Sequence, residues 1–195
     1  MPICGVYPKF LRTSLDSILD QTYDNIEVLG IFDKSTAELD DALLNVLDEY
    51  CHDSRVKVFI RKNRTSFPDV LNKGILLSRG DYIARMDSDD ICSHERLEAS
   101  LDYINNTKAD LVGSWAYVIA ENDKVVAKLT PPSDINEIRK VILLHNPFIH
   151  SSIVFRRDLI GRIGGYSAQF NGAEDYELYL RALSAGCKLC NIPKF

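Results

Sequence analysis

Long apolar runs are missing from this chain. No stretch of its 195 residues approaches the roughly 20 consecutive apolar residues of a membrane-spanning helix. The N-terminus has no charged segment followed by an apolar one, so a secretory leader is not expected either. Lys/Arg-rich runs are missing too. With a formal net charge of −5 there is no electrostatic footprint for nucleic acid, and an acidic protein that binds an anionic ligand needs a compensating cation. A disulfide framework is also absent. Cys4, Cys51, Cys92, Cys187 and Cys190 form an odd, scattered set, which points to a reducing, cytoplasmic compartment. Cys187-Lys188-Leu189-Cys190 has redox spacing, but it follows Gly186 in a strand-like stretch, whereas a redox pair opens a helix. A lone CxxC also falls short of a four-ligand zinc site. No G-x-G-x-x-G follows a strand-like run, which sets aside a dinucleotide-dependent dehydrogenase. Without a G-x-S-x-G or a cysteine with an evident histidine partner, nucleophilic hydrolysis lacks support.

What is present is ordinary globular composition, 46% apolar and 26% charged, in a length that suits one domain with a full core. Apolar periodicity alternates between two patterns. Leu11, Leu15, Ile18 and Leu19 repeat at helical spacing, then Ile26 to Phe32 is a short, nearly continuous apolar run. Leu39, Leu43, Leu44 and Leu47 are helical again, and Val56 to Ile60 is strand-like. Ser66 reads as an N-cap with Pro68 in the first turn of a helix carrying Val70, Leu71 and Ile75. Tyr82 to Met86 and a helix with Leu97, Leu101 and Ile104 follow. Such alternation predicts an α/β fold with a mostly parallel sheet covered by helices on both faces.

After residue 110 the pattern changes. Leu111 to Ala120 and Val125 to Leu129 flank Glu121-Asn122-Asp123-Lys124 as a hairpin. Pro131-Pro132 breaks the chain, Ile135 to Leu144 reads as helix and Ser151 to Phe155 as strand. Ala173 to Ala185 is a helix stopped by Gly186. One domain in two halves is expected: residues 1–109 as an α/β nucleotide-binding half and 110–195 as a smaller mixed half. Met1 to Cys4 supplies only the end of a first strand, and the chain stops at Pro193-Lys194-Phe195 just after another. A missing first strand would leave the sheet without its usual central member, so the domain reads either as shortened at one or both ends or as using the remnant alone.

The chemistry concentrates in Asp87-Ser88-Asp89-Asp90, directly after a strand, where open α/β sheets bind ligands. Three carboxylates within four residues repel one another, and a cation relieves that cost. Asp87 and Asp89 leave extended backbone on the same side. Carboxylate oxygens without His or Cys suit a hard divalent cation, Mg²⁺ or Mn²⁺. With so few protein ligands, phosphates and water must complete the shell, which implies a diphosphate ligand. The plainer alternative is that Asp90 and Ser93 cap the next helix.

Asn72-Lys73-Gly74-Ile75 and Arg79-Gly80-Asp81-Tyr82-Ile83-Ala84-Arg85-Met86-Asp87-Ser88-Asp89-Asp90 together resemble the central motif of family 2 glycosyltransferases, which have the GT-A fold. Ser17-Ile18-Leu19-Asp20-Gln21-Thr22-Tyr23, Gly113-Ser114-Trp115-Ala116-Tyr117, Asn146-Pro147-Phe148-Ile149-His150 and Gly172-Ala173-Glu174-Asp175-Tyr176 resemble the same family in the same order. The resemblance implies a nucleoside-diphosphate-sugar donor lined by Pro2, Asp33, Asp87, Ser88 and His150. Asp87 takes the ribose role and Asp89 the metal role. Asp33 matches the residue that pairs with uracil, which favours a UDP-sugar. Phe32 and Lys34 depart from the family's D-D-G-S at that place.

Glu174-Asp175 opens a helix, where the dipole alone would stabilise acidic residues. Inverting sugar transfer, however, needs a general base for the acceptor hydroxyl. By resemblance Asp175 is that base, and Glu174 is an acceptor contact or an orienting partner. Arg85 either neutralises Asp87 in an ordinary ion pair or touches phosphate. His150 is either structural or near the diphosphate. Trp115 stacks on a sugar or packs in the core. The expected function is metal-dependent, inverting transfer from a nucleotide sugar to a glycan or glycoconjugate hydroxyl in the cytoplasm, with peripheral membrane association as one setting. The alternatives are a non-catalytic binding domain and a sugar-phosphate nucleotidyltransferase, although the Gly-rich phosphate loop of the latter class is absent.

Overall fold

A computed structural model describes residues 1–33, 41–61 and 65–195. Nine strands and seven α-helices are found there. The first sheet is parallel, in the order β1 (Pro2–Ile3), β2 (Val28–Asp33), β3 (Val56–Arg61). Pro2 lies opposite Ile31, and Val28 opposite Val56. Alternate residues of β2 serve opposite faces, as strand geometry requires. Val28 and Phe32 pack with Leu11 and Leu15 of α1 (Pro8–Leu19) and with Leu43, Val46 and Leu47 of α2 (Asp41–Cys51). Ile31 faces the other way, toward Gly74 of α3 (Phe67–Leu77). The α3 N-terminus is the expected one: Ser66 and Asp69 form a reciprocal capping box, with proline in the first turn.

The second sheet is mixed, in the order β4 (Tyr82–Ala84), β8 (Val154–Arg156), β5 (Leu111–Ser114), β9 (Leu189–Ile192). Only β5 and β9 run parallel; β8 is antiparallel to both its neighbours. One face buries Leu111, Phe155 and Leu189 against Ile138 of α5 (Ile135–Val141), Leu159 of α6 (Arg157–Ile163) and Tyr179 of α7 (Glu174–Ser184). The other face packs Val112, Val154 and Ile192 on Ile104 of α4 (Arg96–Thr107). Helices therefore cover both faces, as expected, and three of the four strands of this mixed sheet come from the half after residue 110, where a mixed arrangement was expected.

Several boundaries move for identifiable reasons. The Leu111 to Ala120 run breaks at Trp115: Ser114, still paired with Ile192, is the last residue of β5, and its amide bonds the Ser152 hydroxyl at 3.0 Å. Beyond the break, β6 (Ala116–Ile119) and β7 (Val125–Leu129) make the expected hairpin, its turn carrying Asp123 at φ 61°. Trp115 is half-buried, donates to the Pro131 carbonyl at 3.1 Å and lies against Phe195. The α4 helix starts only at Arg96, with Glu95 at its N-cap, so neither Asp90 nor Ser93 caps it. Seven-residue α6 was not foreseen; Gly161 and its short length hide its apolar spacing.

The two-residue β1 pairs with β2 alone among the described strands. Between the two sheets lies a cavity of about 610 Å³, lined by Met1, Leu29 and Ile31 on one side and by Tyr82, Ile83, Val154 and Phe155 on the other. No helix among the described residues is long and apolar enough to cross a membrane.

Candidate active site

The acidic turn leaves β4 and is pinned from α1. Buried Ser14 donates its hydroxyl to the Asp87 carbonyl at 3.1 Å. One turn on, the Ser17 hydroxyl accepts from the Cys92 amide at 3.2 Å. Gln21, a further turn along, donates to the Ser93 carbonyl at 2.7 Å and accepts from the Leu97 amide at 3.0 Å. Helical spacing puts Ser14 and Ser17 on one face of α1, and Gln21 follows just past its end. That gives the Ser17 to Tyr23 motif a physical purpose: it holds the loop of residues 87–97 in place.

Within the turn the carboxylates differ. Asp87 is half-buried and paired with Arg85, a side chain only 7% exposed. Of the two sequence readings of Arg85, the ion pair is the one seen. Burial pushes the Asp87 carboxyl above its usual range; Arg85 works against this, and the Asp90 and Asp89 charges add to it. Ser88 is buried. Asp89 is exposed, and neither it nor Asp90 makes a side-chain hydrogen bond or ion pair with a described residue. No group of three or more His, Cys, Asp or Glu among the described residues is arranged to hold a metal. An uncommitted carboxylate with crowded acidic neighbours nevertheless suits a hard cation whose other ligands come from phosphate and water.

The second pair opens α7. Asp175 is half-buried with both oxygens engaged: Oδ2 accepts from Asn146 Nδ2 at 2.7 Å and Oδ1 from the Tyr176 amide at 2.7 Å. Asn146 is itself fixed, its Oδ1 accepting from the Phe148 amide at 3.1 Å. Glu174 is buried and turned back onto the Gly172 amide. Its carboxylate shapes the loop before the helix, which fits an orienting role better than acceptor contact.

Tyr166 stands between the two pairs, and the sequence reading missed it. Burial raises its phenol pKa well above the ordinary value; among nearby charges Arg85 lowers it, while Asp175, Glu174 and Asp87 all raise it. The charges of Asp87, Glu174 and Asp175 are therefore all felt at one hydroxyl. Asn72 clamps the Tyr166 backbone through two bonds of 2.8 Å. A side chain at Gly165 would meet Asn72 Oδ1 at 2.3 Å, so glycine is required there. The Tyr166 hydroxyl meets His150 Nε2 at 2.9 Å. Desolvation, helped by the Arg85 charge, lowers the His150 pKa to about 2. Desolvation thus favours the neutral imidazole at His150. The only signal for Tyr166 lay in Asn72, whose partner is 94 positions away.

Pro2 is buried on β1. Asp33 ends β2 opposite Arg61; its side chain, and Lys34, lie outside the described residues. Phe32 is fully buried in the core of the first sheet. Cys187 and Cys190 are buried free thiols whose pKa values burial raises, in line with a structural reading. Tyr179 is buried in the core.

Residues 1–164 match the model of the family described as Glycosyl transferase family 2. The chain belongs to this family. Among curated relatives, the O-antigen biosynthesis glycosyltransferase WbnJ of Escherichia coli is 34% identical over 91% of this chain and 68% of its own length. The UDP-Gal:alpha-D-GlcNAc-diphosphoundecaprenol beta-1,3-galactosyltransferase of Escherichia coli is 33% identical over 95% of this chain and 66% of its own length. The chain thus spans about two thirds of the length of these relatives. The mannosyltransferase PcManGT from Pyrobaculum calidifontis, solved with GDP-Man and Mn²⁺, superimposes with a TM-score of 0.72 at 16% identity, over 98% of this chain and 53% of that one. The α/β architecture is the GT-A fold expected from the motifs.

Proposed function

We propose that this family 2 domain transfers a sugar from a nucleoside-diphosphate sugar, a UDP-sugar, to a hydroxyl of a glycan or glycoconjugate. It does so with inversion and with a divalent cation, Mn²⁺ or Mg²⁺. The observation that carries this reading is a contrast between two carboxylates that are held in different ways. Asp89 is free to bind a metal, and Asp175 is locked in one orientation by Asn146.

Asp175 takes the proton of the acceptor hydroxyl as its oxygen attacks the anomeric carbon. The bond from that carbon to the diphosphate breaks in the same displacement, so the configuration inverts. Asp89 would hold a divalent cation, which when bound would supply positive charge to the diphosphate leaving group. Asp87 meets the ribose, held in place by Arg85 and by Ser14 through its carbonyl. Ser88, Pro2 and Asp33 complete the nucleotide-sugar side, and neutral His150 positions Tyr166. UDP is favoured by Asp33 and by the UDP-Gal donor in the name of one relative. That name also describes an acceptor carried on a lipid diphosphate. A lipid-linked glycan at the cytoplasmic membrane face is accordingly the acceptor class we favour.

A second reading, nucleotide binding without transfer, stands on Phe32: a core side chain occupies a position where the family usually has a carboxylate. Incubation with UDP-sugars and Mn²⁺ separates the two. Transfer predicts UDP release that EDTA stops and a product of inverted anomeric configuration by NMR. Metal-independent turnover, or a retained configuration, sinks the proposed mechanism; binding with no release supports the second reading.

A further inference from the structure

Asn191 is a polar side chain, 0% exposed, on a strand whose other residues are all buried as well. It lies on β9 directly opposite Gly113 of β5, where a side chain would meet its Oδ1 at 2.3 Å. The glycine makes room for the amide. That Oδ1 is buried and has no hydrogen-bond partner among the described residues. An orphaned buried acceptor carries a cost that an apolar residue of similar shape would avoid. What the amide offers in return is its Nδ2, which donates to the Pro132 carbonyl at 2.8 Å and the Pro147 carbonyl at 2.9 Å. One side chain thus closes both ends of the segment 132–147, which carries α5.

The bond to Pro147 reaches further. The Pro147 carbonyl and the Phe148 N–H belong to one planar peptide group. Asn191 holds its oxygen, while its N–H donates to Asn146 Oδ1 at 3.1 Å. Asn146 Nδ2 in turn donates to Asp175 Oδ2 at 2.7 Å. Three amide groups therefore run in series from β9 to the carboxylate at the start of α7. Because the peptide is planar, fixing its oxygen fixes the direction of its N–H. That N–H sets which way the Asn146 amide faces, and so where its Nδ2 points. Hydrogen bonds in such a chain also polarise one another.

We propose that Asn191 is a positioning residue for sugar transfer, which aims Asp175 through the Pro147–Phe148 peptide and Asn146. The proposal rests on the reading of Asp175 as the base. Steady-state transfer by the parent, Asn191→Ala, Asn146→Ala and the double variant tests it. Asn191→Ala should lower kcat about fivefold with donor KM and UDP affinity unchanged. Asn146→Ala should lower kcat about tenfold. The double variant should lose no more than about tenfold, since both changes cut one chain, whereas independent effects would multiply to about fiftyfold. Where the space left by the amide weakens folding, adding Gly113→Ala to Asn191→Ala fills it with a methyl and still lacks both donors; the same loss of kcat is expected. A parent-like kcat in these Asn191 variants, a multiplied loss in the double variant, or a change in KM alone would overturn the proposal. Full kcat in Asn146→Ala and Asp175→Asn would remove the base assignment and this proposal with it. Losses in those two without one in Asn191→Ala would remove the relay only.

Discussion

Asp89 stands exposed in a turn beyond a three-residue strand, whereas Asp175 sits in the first turn of an eleven-residue helix with both oxygens hydrogen-bonded. The turn is fixed from behind, through Ser14, Ser17 and Gln21, which bind backbone and leave the Asp89 side chain free. The helix start is fixed from the front, at the carboxylate itself. A metal ligand has to be uncommitted until the ligand arrives, because every bond already made must be broken to bind. A general base has to be aimed, because proton transfer needs a hydrogen-bonding distance and direction. The same side-chain chemistry, differently tethered, suits different work.

The largest expected effect comes from removing the aimed base. Asp175→Asn should lower transfer by about 10²- to 10⁴-fold while leaving UDP binding intact. A normal transfer rate, measured by UDP release, places the base elsewhere. Next is the tether. Asn146→Ala removes the 2.7 Å bond to Oδ2 and should cut kcat about tenfold with little change in donor KM. An effect on KM alone would mean that Asn146 shapes the donor pocket instead.

His150 gives a pH-dependent contrast. Its folded pKa of about 2 lies below the ordinary value of 6.5. Above pH 6.5 both folded and unfolded chains hold it neutral. As pH falls from there toward 2, only the unfolded chain takes up the proton, and stability is lost by up to about 1.4 kcal/mol per pH unit. His150→Gln should flatten that slope in urea melts between pH 7 and 5; an unchanged slope shows that the imidazole is not the group responsible. The smallest effect should lie away from both pairs. Ser66→Ala breaks the α3 capping box and should cost about 1 kcal/mol of stability with catalysis unaltered.

The α/β class was legible because β2, β3 and the helices around them are built from local apolar periodicity. The acidic cluster was legible too, since its neighbours in sequence are its neighbours in space. What stayed hidden depends on distant partners. At the break before Trp115 the Ser114 amide meets a hydroxyl 38 positions away, and Asp175 is tethered by an amide 29 positions away. His150 and Tyr166 meet across 16 positions, and their properties come from burial and from Arg85, which spacing along the chain does not encode. The direction of β8 was hidden for the same reason: it is set by pairing with β4 and β5, not by its apolar residues.

One titration bears most directly on the contrast between a free and an aimed carboxylate. UDP is added to the parent chain and to Asp89→Ala, each with and without Mn²⁺, and the heat of binding is recorded. The parent should bind UDP far more tightly with the metal than without it, and Asp89→Ala should bind equally weakly in both conditions. A variant that keeps the full Mn²⁺-dependent affinity would contradict the account, because the metal would then be held by other groups.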